Sequence, residues 1–241
     1  MEIKKVVVIG SGTMGSGIAA HLCNANVPVT LLDLTTEISE KARDRILKSK
    51  PPLLLDKSQI NKIQVGNIED NFDVVKEADW VVEAVVERID IKHNIYEKIF
   101  NDRKEGAIVS SNTSSIPIQV LSEKLTAEEK KDFCITHFFN PVRYMGLLEI
   151  VKNEKNDLAK INALKKFSTP ISSNISNGPF AQLKPNLIAS SISLKSLVIP
   201  GTKDDEYFII FEITDQAYSP NLSSLAIKDL RSTLSEPTLI F

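Results

Sequence analysis

The 241-residue sequence has little of several features that direct proteins to special environments or partners. Its only cysteines, Cys23 and Cys134, are far apart, which excludes a disulfide framework and predicts no metal site. Lysine and arginine total 29 against 31 acidic residues, and the net charge of −2 predicts no nucleic-acid surface. No uncharged run reaches the ~20 residues of a membrane helix, and the first residues do not resemble a signal peptide. We therefore expect a cytoplasmic protein with no membrane or nucleic-acid partner.

Glycine is also scarce, yet four of the nine glycines lie in one stretch, VVVIGSGTMGSGIAAHL, at residues 6–22. An apolar run precedes the pattern G-x-G-x-x-G, and a helix of small residues follows it. In such a turn Gly10 permits a sharp bend, Gly12 permits close approach of a pyrophosphate, and Gly15 permits tight helix packing. The free N–H groups at the helix start attract phosphate. The stretch therefore predicts a dinucleotide site.

An acidic residue follows the second predicted strand, Val27–Leu32, and extends this prediction. Asp33 lies eighteen residues past Gly15, where a carboxylate accepts hydrogen bonds from a ribose 2′-OH and repels a 2′-phosphate. The cofactor expected is therefore NAD rather than NADP. Met14, inside the turn, is included among the cofactor-site residues, although methionine at such a place more often packs than contacts cofactor. A strand–helix joint without ligand is the alternative, and Asp33 favours the cofactor site.

Strand and helix patterns alternate over the first 152 residues. The predicted strands cover residues 5–9, 27–32, 80–86, 107–111, 133–136 and 147–151. The predicted helices cover residues 16–23, 40–50, 57–63 and 89–100, and a further helix ends at Leu125. This alternation predicts an α/β fold with a Rossmann-like doubly wound sheet.

Ligands of such sheets bind outside the carboxyl ends of the strands. Four polar features fall at predicted strand ends: Asp33, Glu87, the run Ser111–Ser115, and His137. We expect these side chains to meet in one crevice, which makes them the candidate functional residues.

The chain has three histidines, and only His137 lies at a predicted strand end. His93 is expected to be solvated on a charged helix, and His21, in the middle of the first helix, to have a surface or packing role rather than a chemical one. Glu149 follows His137 by twelve residues, beyond a turn at Pro141, so adjacent strands can bring the two side chains together. A histidine paired with a carboxylate is a common general base. Spacing alone gives this pair little specificity.

Four longer stretches resemble one family. They are VVVIGSGTMGSGIA, ADWVVEAVVERIDIK, SSNTSSIPI and THFFNPVRYMGLLEIV, which together span residues 5 to about 152. In this order they resemble the NAD-binding domain of the L-3-hydroxyacyl-CoA dehydrogenases of fatty-acid β-oxidation, in the form found in long bacterial multifunctional proteins. The last two stretches are far more specific than the glycine pattern, and they argue against another Rossmann enzyme such as a sugar-acid dehydrogenase.

The resemblance implies roles for individual residues. His137 corresponds to the catalytic base that takes the proton of the 3-hydroxyl, and Glu149 to its partner. Ser114 corresponds to the serine that hydrogen-bonds the substrate oxygen, and Asn112 lies beside the nicotinamide and its ribose. The implied substrate is an acyl-CoA.

Three further positions in the resembling stretches concern the cofactor and nearby anions. Glu87 and Lys92 correspond to positions that line the cofactor pocket. Gly146 stands where a basic residue is expected in the last stretch, so anion binding nearby is expected to be weaker.

The resemblance weakens near the start of the family's helical second domain. The stretch KPNLIASSI, residues 184–192, matches the opening motif of that domain only in part, because Ser190 stands at its catalytic asparagine position. This divides the chain into an NAD-binding domain, residues 1–182, and a divergent C-terminal remnant, residues 183–241. We expect a partner chain to supply the missing helical domain.

The C-terminal segment differs in composition from the rest. Residues 167–241 contain thirteen serines, against ten in the preceding 166 residues, and prolines interrupt any long helix. Within it, EYFIIFEIT at residues 206–214 predicts a strand, and much of the segment is expected to be irregular. Two functions stay open: a working 3-hydroxyacyl-CoA dehydrogenase, or a non-catalytic NAD-binding remnant of a truncated or frame-shifted gene.

Overall fold

The computed structural model describes residues 1–144, 147–168, 197–200 and 207–214. The strands are β1 Val6–Ile9, β2 Val29–Asp33, β3 Ile63–Asn67, β4 Trp80–Glu83, β5 Ile108–Ser111, β6 Phe133–Phe138, β7 Leu147–Lys152, β8 Leu197–Pro200 and β9 Tyr207–Thr214. The helices are α1 Thr13–Asn24, α2 Thr36–Lys48, α3 Ile89–Asp102, α4 Ile118–Leu121, α5 Ala127–Asp132 and α6 Leu158–Ser168. This is the α/β alternation that the sequence predicted.

The strands form one sheet in the order β3-β2-β1-β4-β5-β6-β7-β9-β8. The first six strands in this order, from β3 to β6, are parallel to one another. Strand β7 is antiparallel to β6, and β9 is parallel to β7 and antiparallel to β8. The order reverses at β1, which pairs with β2 on one side and with β4 on the other. A crevice opens at such a switch point, so the turn after β1 lies at the position where doubly wound folds bind dinucleotides.

The central strands are apolar on both faces because helices cover both sides of the sheet. In β1, Val6 and Val8 belong to one core cluster, whereas Val7 and Ile9 belong to the other. The alternating direction of side chains in a strand produces this division. The covering helices are α1 and α2 on the first face and α3 with α4 on the second.

Both cysteines are buried, and burial raises the pKa of each thiol, Cys23 and Cys134, to about 12. Cys23 belongs to the core cluster under α1, and Cys134 contributes to the same cluster from β6. A thiol that stays protonated is a poor nucleophile, so both act as small apolar side chains.

Some boundaries differ from the sequence prediction. Helix α2 begins at Thr36 because the Thr35 hydroxyl caps it by accepting a hydrogen bond from the Ile38 N–H. The segment predicted as a helix at residues 57–63 is a short 3-10 helix, Lys57–Lys62, followed at Ile63 by β3, a strand that the sequence analysis did not predict. Strand β3 lies at the sheet edge and includes exposed positions, so it lacks the continuous apolar run of the inner strands.

The C-terminal predictions have a mixed outcome. The predicted strand at residues 206–214 is confirmed as β9, Tyr207–Thr214. The division between residues 182 and 183, the stretch at 184–192 with Ser190, and Gly146 lie outside the described residues. Among the helices that the structure describes, none is both long enough and apolar enough to cross a membrane.

Candidate active site

The glycine turn has the geometry that its sequence predicted. Gly10 has φ +99°, and a Cβ placed there would lie 2.5 Å from the Ala84 carbonyl oxygen. A Cβ at Gly15 would lie 1.8 Å from the Gly10 oxygen, whereas one at Gly12 meets nothing within 4 Å. Helix α1 begins directly after Gly12 and has no side-chain cap. The turn therefore presents uncapped N–H groups beside open space, which fits a pyrophosphate.

Asp33 lies against this turn at the end of β2. One carboxylate oxygen, Oδ2, accepts hydrogen bonds from the backbone N–H and the hydroxyl of Ser11, both at 2.6 Å. The other, Oδ1, accepts from the Leu34 N–H at 2.8 Å. These bonds fix the carboxylate next to the glycine turn, where the sequence analysis expected a ribose.

Two neighbours of the turn have supporting positions. The Arg45 guanidinium donates to the Ser11 carbonyl at 2.8 Å and so ties α2 to the turn. The sequence analysis missed Arg45, because one cation on an amphipathic helix looks like any other surface charge. Met14 is partly buried and packs against the core cluster under α1.

His137 and Glu149 form a hydrogen-bonded pair. They stand directly opposite each other in the antiparallel pairing of β6 with β7. His137 Nδ1 lies 2.8 Å from Glu149 Oε2, and both side chains are largely buried. With Nδ1 protonated and donating to the carboxylate, Nε2 is the ring atom that can accept a proton. The pairing places a potential general base at the end of β6.

Asn112 connects the end of β5 to β6 beside this pair. Its backbone N–H donates to the Glu83 carbonyl at 2.7 Å. Its side-chain oxygen accepts from the Phe138 N–H at 2.9 Å, adjacent to His137. Ser114 is exposed in the loop two residues further on. The structure thus brings the loop after β5 next to β6, the strand that carries His137.

Glu87 and Lys92 contact each other but differ in exposure. The Lys92 side chain is fully buried, and its ammonium lies 3.2 Å from Glu87 Oε2. Glu87 is partly exposed, and it accepts hydrogen bonds from the hydroxyls of Thr113 and Ser115. Partial burial opposes ionisation of Glu87, but these hydrogen bonds and the charge of Lys92 hold its pKa below the ordinary value. Glu87 is therefore an anion at neutral pH.

The other two histidines differ from each other. His93 is buried, with Nε2 3.0 Å from the Val120 carbonyl oxygen, so the expectation that it is solvated is wrong. The residues around α4 cover the side of α3 that carries it, although its sequence neighbours are charged. Of the two roles left open for His21, the structure shows packing: it lies edge-on against Phe138, and burial lowers its pKa to about 4.

Within the described part of the chain, no cluster of three or more histidine, cysteine or acidic side chains is arranged to hold a metal ion.

Comparisons with known proteins identify the family. Residues 5–174 match the model of "3-hydroxyacyl-CoA dehydrogenase, NAD binding domain". The chain is 34% identical over 240 residues to a probable 3-hydroxyacyl-CoA dehydrogenase of Deinococcus radiodurans, covering 96% of this chain and 68% of that protein. It is 36% identical over 184 residues to the fatty acid oxidation complex subunit alpha of Idiomarina loihiensis, covering 70% of this chain. The chain spans only 25% of the length of that second protein.

A solved structure agrees with these sequence matches. The (S)-3-hydroxybutyryl-CoA dehydrogenase PaaH1 of Ralstonia eutropha superposes with a TM-score of 0.60 at 30% identity, covering 69% of this chain and 60% of that one. The Deinococcus alignment also continues beyond residue 174, into the segment where the sequence analysis found little resemblance. The chain belongs to the 3-hydroxyacyl-CoA dehydrogenase family, and residues 5–174 are its NAD-binding domain.

Proposed function

We propose that this chain transfers hydride between C3 of an L-3-hydroxyacyl-CoA and NAD, with His137 as the proton acceptor. The observation that carries the proposal is the 2.8 Å contact between His137 Nδ1 and Glu149. The contact lies at the carboxyl end of β6, in the same sheet as β1, the strand that leads into the glycine turn. A cytoplasmic location and an acyl-CoA substrate are part of the proposal.

The chemistry divides between the cofactor and this chain's own side chains. NAD, when bound, supplies the hydride acceptor. His137 takes the proton of the 3-hydroxyl at Nε2, while Glu149 holds Nδ1 and stabilises the imidazolium that forms. Ser114 donates a hydrogen bond to the substrate oxygen, and Asn112 holds the backbone of Phe138 beside the nicotinamide. Each role assigned to these four residues is a proposal that rests on their placement and on the family.

The first prediction concerns cofactor choice. Asp33→Ala is expected to weaken NADH binding by about 1.5–3 kcal/mol, because the hydrogen bonds of the ribose to a charged acceptor are lost. The wild-type chain is expected to prefer NADH over NADPH, because the Asp33 carboxylate would repel a 2′-phosphate. Titration calorimetry with both cofactors measures this preference.

Ser11→Ala provides the matched control. It removes one hydrogen bond to Asp33 Oδ2 and leaves those from the Ser11 and Leu34 N–H groups, so the carboxylate stays in place. We expect a much smaller loss of affinity than for Asp33→Ala. NADPH binding as tight as NADH binding by the wild-type chain would refute the assignment of Asp33.

The second prediction concerns turnover of the chain by itself. We expect slow NADH-dependent reduction of acetoacetyl-CoA, because Ser190 stands where the family places a carbonyl-polarising asparagine. Loss of one positioned donor of this kind lowers rates by about 10²–10³-fold. The measurement is NADH absorbance at high enzyme concentration. Addition of a helical-domain chain from a relative is expected to raise the rate.

A non-catalytic NAD-binding protein is the alternative function. It predicts NADH binding with no acetoacetyl-CoA reduction, even when a helical-domain chain is added. The hydrogen bond between His137 and Glu149 favours the enzyme, because a protein that only binds NAD does not need a paired histidine at this strand end.

A further inference from the structure

Glu83 is a fully buried carboxylate at the end of β4, and the sequence analysis gave it no role. Both carboxylate oxygens are saturated by donors from three different parts of the chain. Oε1 accepts from the Val85 N–H at 2.8 Å and from Lys92 Nζ at 2.7 Å. Oε2 accepts from the hydroxyls of Tyr96 at 2.7 Å and Ser111 at 2.6 Å. Four donors therefore fix one carboxylate in a single position.

Stability alone does not account for such a group. A buried ion pair is often no more stabilising than apolar side chains of similar volume, because both charges lose their hydration. The Glu83 and Lys92 side chains have no exposed surface. Burial and the charge of Glu83 raise the pKa of Tyr96 well above its ordinary value, so the phenol remains a donor. What the four hydrogen bonds to Glu83 do specifically is connect separate segments of the chain.

The hydrogen bonds and ion pairs around Glu83 connect the loop after β4 with the loop after β5 at the candidate active site. Lys92 contacts Glu83 at 2.7 Å and Glu87 at 3.2 Å, so one ammonium joins a buried carboxylate to a partly exposed one. Glu87 in turn accepts hydrogen bonds from Thr113 and Ser115, in the loop after β5. The same loop is held at its start by the Ser111 hydroxyl on Glu83.

We propose that Glu83 is a positioning residue for the nicotinamide half of the cofactor site. It holds Lys92 and Ser111, and through them it fixes Glu87 and the loop that carries Asn112 and Ser114. In a doubly wound sheet the two halves of a dinucleotide lie on opposite sides of the switch point. Asp33 on β2 defines the adenosine side, so the ends of β4 and β5 belong to the nicotinamide side.

This assignment makes a prediction that separates positioning from general stability. Glu83→Gln keeps the shape of the side chain but removes the charge that holds Lys92. We expect NADH affinity to fall about tenfold, within the range of couplings between contacting groups. ADP-ribose lacks the nicotinamide, so its affinity is expected to change by less than about twofold, the ordinary level for sites without a shared partner. Calorimetric titration of the full chain with both ligands measures the difference.

Ser110→Ala is the matched control on the neighbouring residue of β5. Its hydroxyl accepts from the Trp80 indole and bonds to Thr136, both buried, on the opposite face of the sheet from Ser111. It is expected to lower the melting temperature and leave both affinities unchanged. Glu83→Asp keeps the charge but is too short to reach Lys92 and Ser111 together, and it decides the matter if Glu83→Gln does not fold. We expect Glu83→Asp to weaken NADH binding selectively, by a smaller factor.

The inference rests on the proposed function, and the titrations distinguish their failures. A wild-type chain that does not bind NADH would overturn both. A wild-type chain that binds NADH, with folded Glu83 variants that bind NADH equally well, would overturn the role of Glu83 alone. Equal losses of NADH and ADP-ribose affinity would likewise show that Glu83 only stabilises the fold.

Discussion

Replacing His137 by alanine is expected to lower the rate of acetoacetyl-CoA reduction by about 10²–10⁴-fold, the usual contribution of a positioned general acid–base. In the proposed mechanism, protonated His137 would donate to the forming 3-hydroxyl during reduction and would accept that proton during oxidation. Alanine can do neither. The measurement is the initial rate of NADH oxidation at saturating NADH, with binding measured separately by calorimetry.

Glu149→Gln tests the same pair without removing the base. Glutamine has nearly the shape of glutamate, but it can donate to Nδ1 and so favour the tautomer whose Nε2 carries the proton. It also removes the charge that stabilises the imidazolium. We expect a substantial loss of rate with little change in NADH affinity, because the pair lies on β6 and β7, away from the glycine turn on β1.

The control for His137→Ala is a substitution of another buried histidine. His93→Asn alters another buried histidine, one that bonds the Val120 carbonyl, and it is expected to lower stability but not the rate per folded molecule. A rate that His137→Ala leaves unchanged would come from a contaminant or from other residues, and it would contradict the proposed role of His137.

Sequence reasoning worked best where one short segment contains the whole determinant. The glycine turn is such a case, because the strand, the three glycines and the helix are contiguous and their steric needs are local. The His137–Glu149 contact needed one further step, the pairing of β6 with β7 across a short connection. Once those strands are adjacent, their register determines which side chains face each other.

Features that depend on distant segments were missed. Glu83 lay inside the predicted strand 80–86, whereas β4 ends at Glu83 itself, and only the fold brings the donors of α3 and β5 onto its two oxygens. Arg45 gained its role from the turn 34 residues earlier. The prediction for His93 was wrong because it relied on the charges of its sequence neighbours. Those charges do not indicate that residues near Val120 cover the side of α3 that carries His93.

Gly12 and Gly15, two of the three glycines of the glycine turn, are expected to respond differently to the same substitution. Gly12→Ala adds a methyl group where nothing lies within 4 Å, at an ordinary φ of −61°. The fold is therefore expected to keep its melting temperature. NADH binding is expected to fall by at least about tenfold, or ~1.4 kcal/mol, because the methyl group occupies space that the pyrophosphate needs. Gly12→Ala thus separates binding from folding.

Gly15→Ala is expected to damage both properties. Its Cβ would lie 1.8 Å from the Gly10 carbonyl oxygen, so the turn and α1 must move apart, and forced overpacking of this kind costs about 1–3 kcal/mol or more. Thermal melting of the two variants together with NADH titration distinguishes the cases. If Gly12→Ala binds NADH as the wild type does, the open space beside Gly12 is not where the phosphates lie. If Gly15→Ala melts at the wild-type temperature, the close contact between the turn and the helix is not a constraint on this fold.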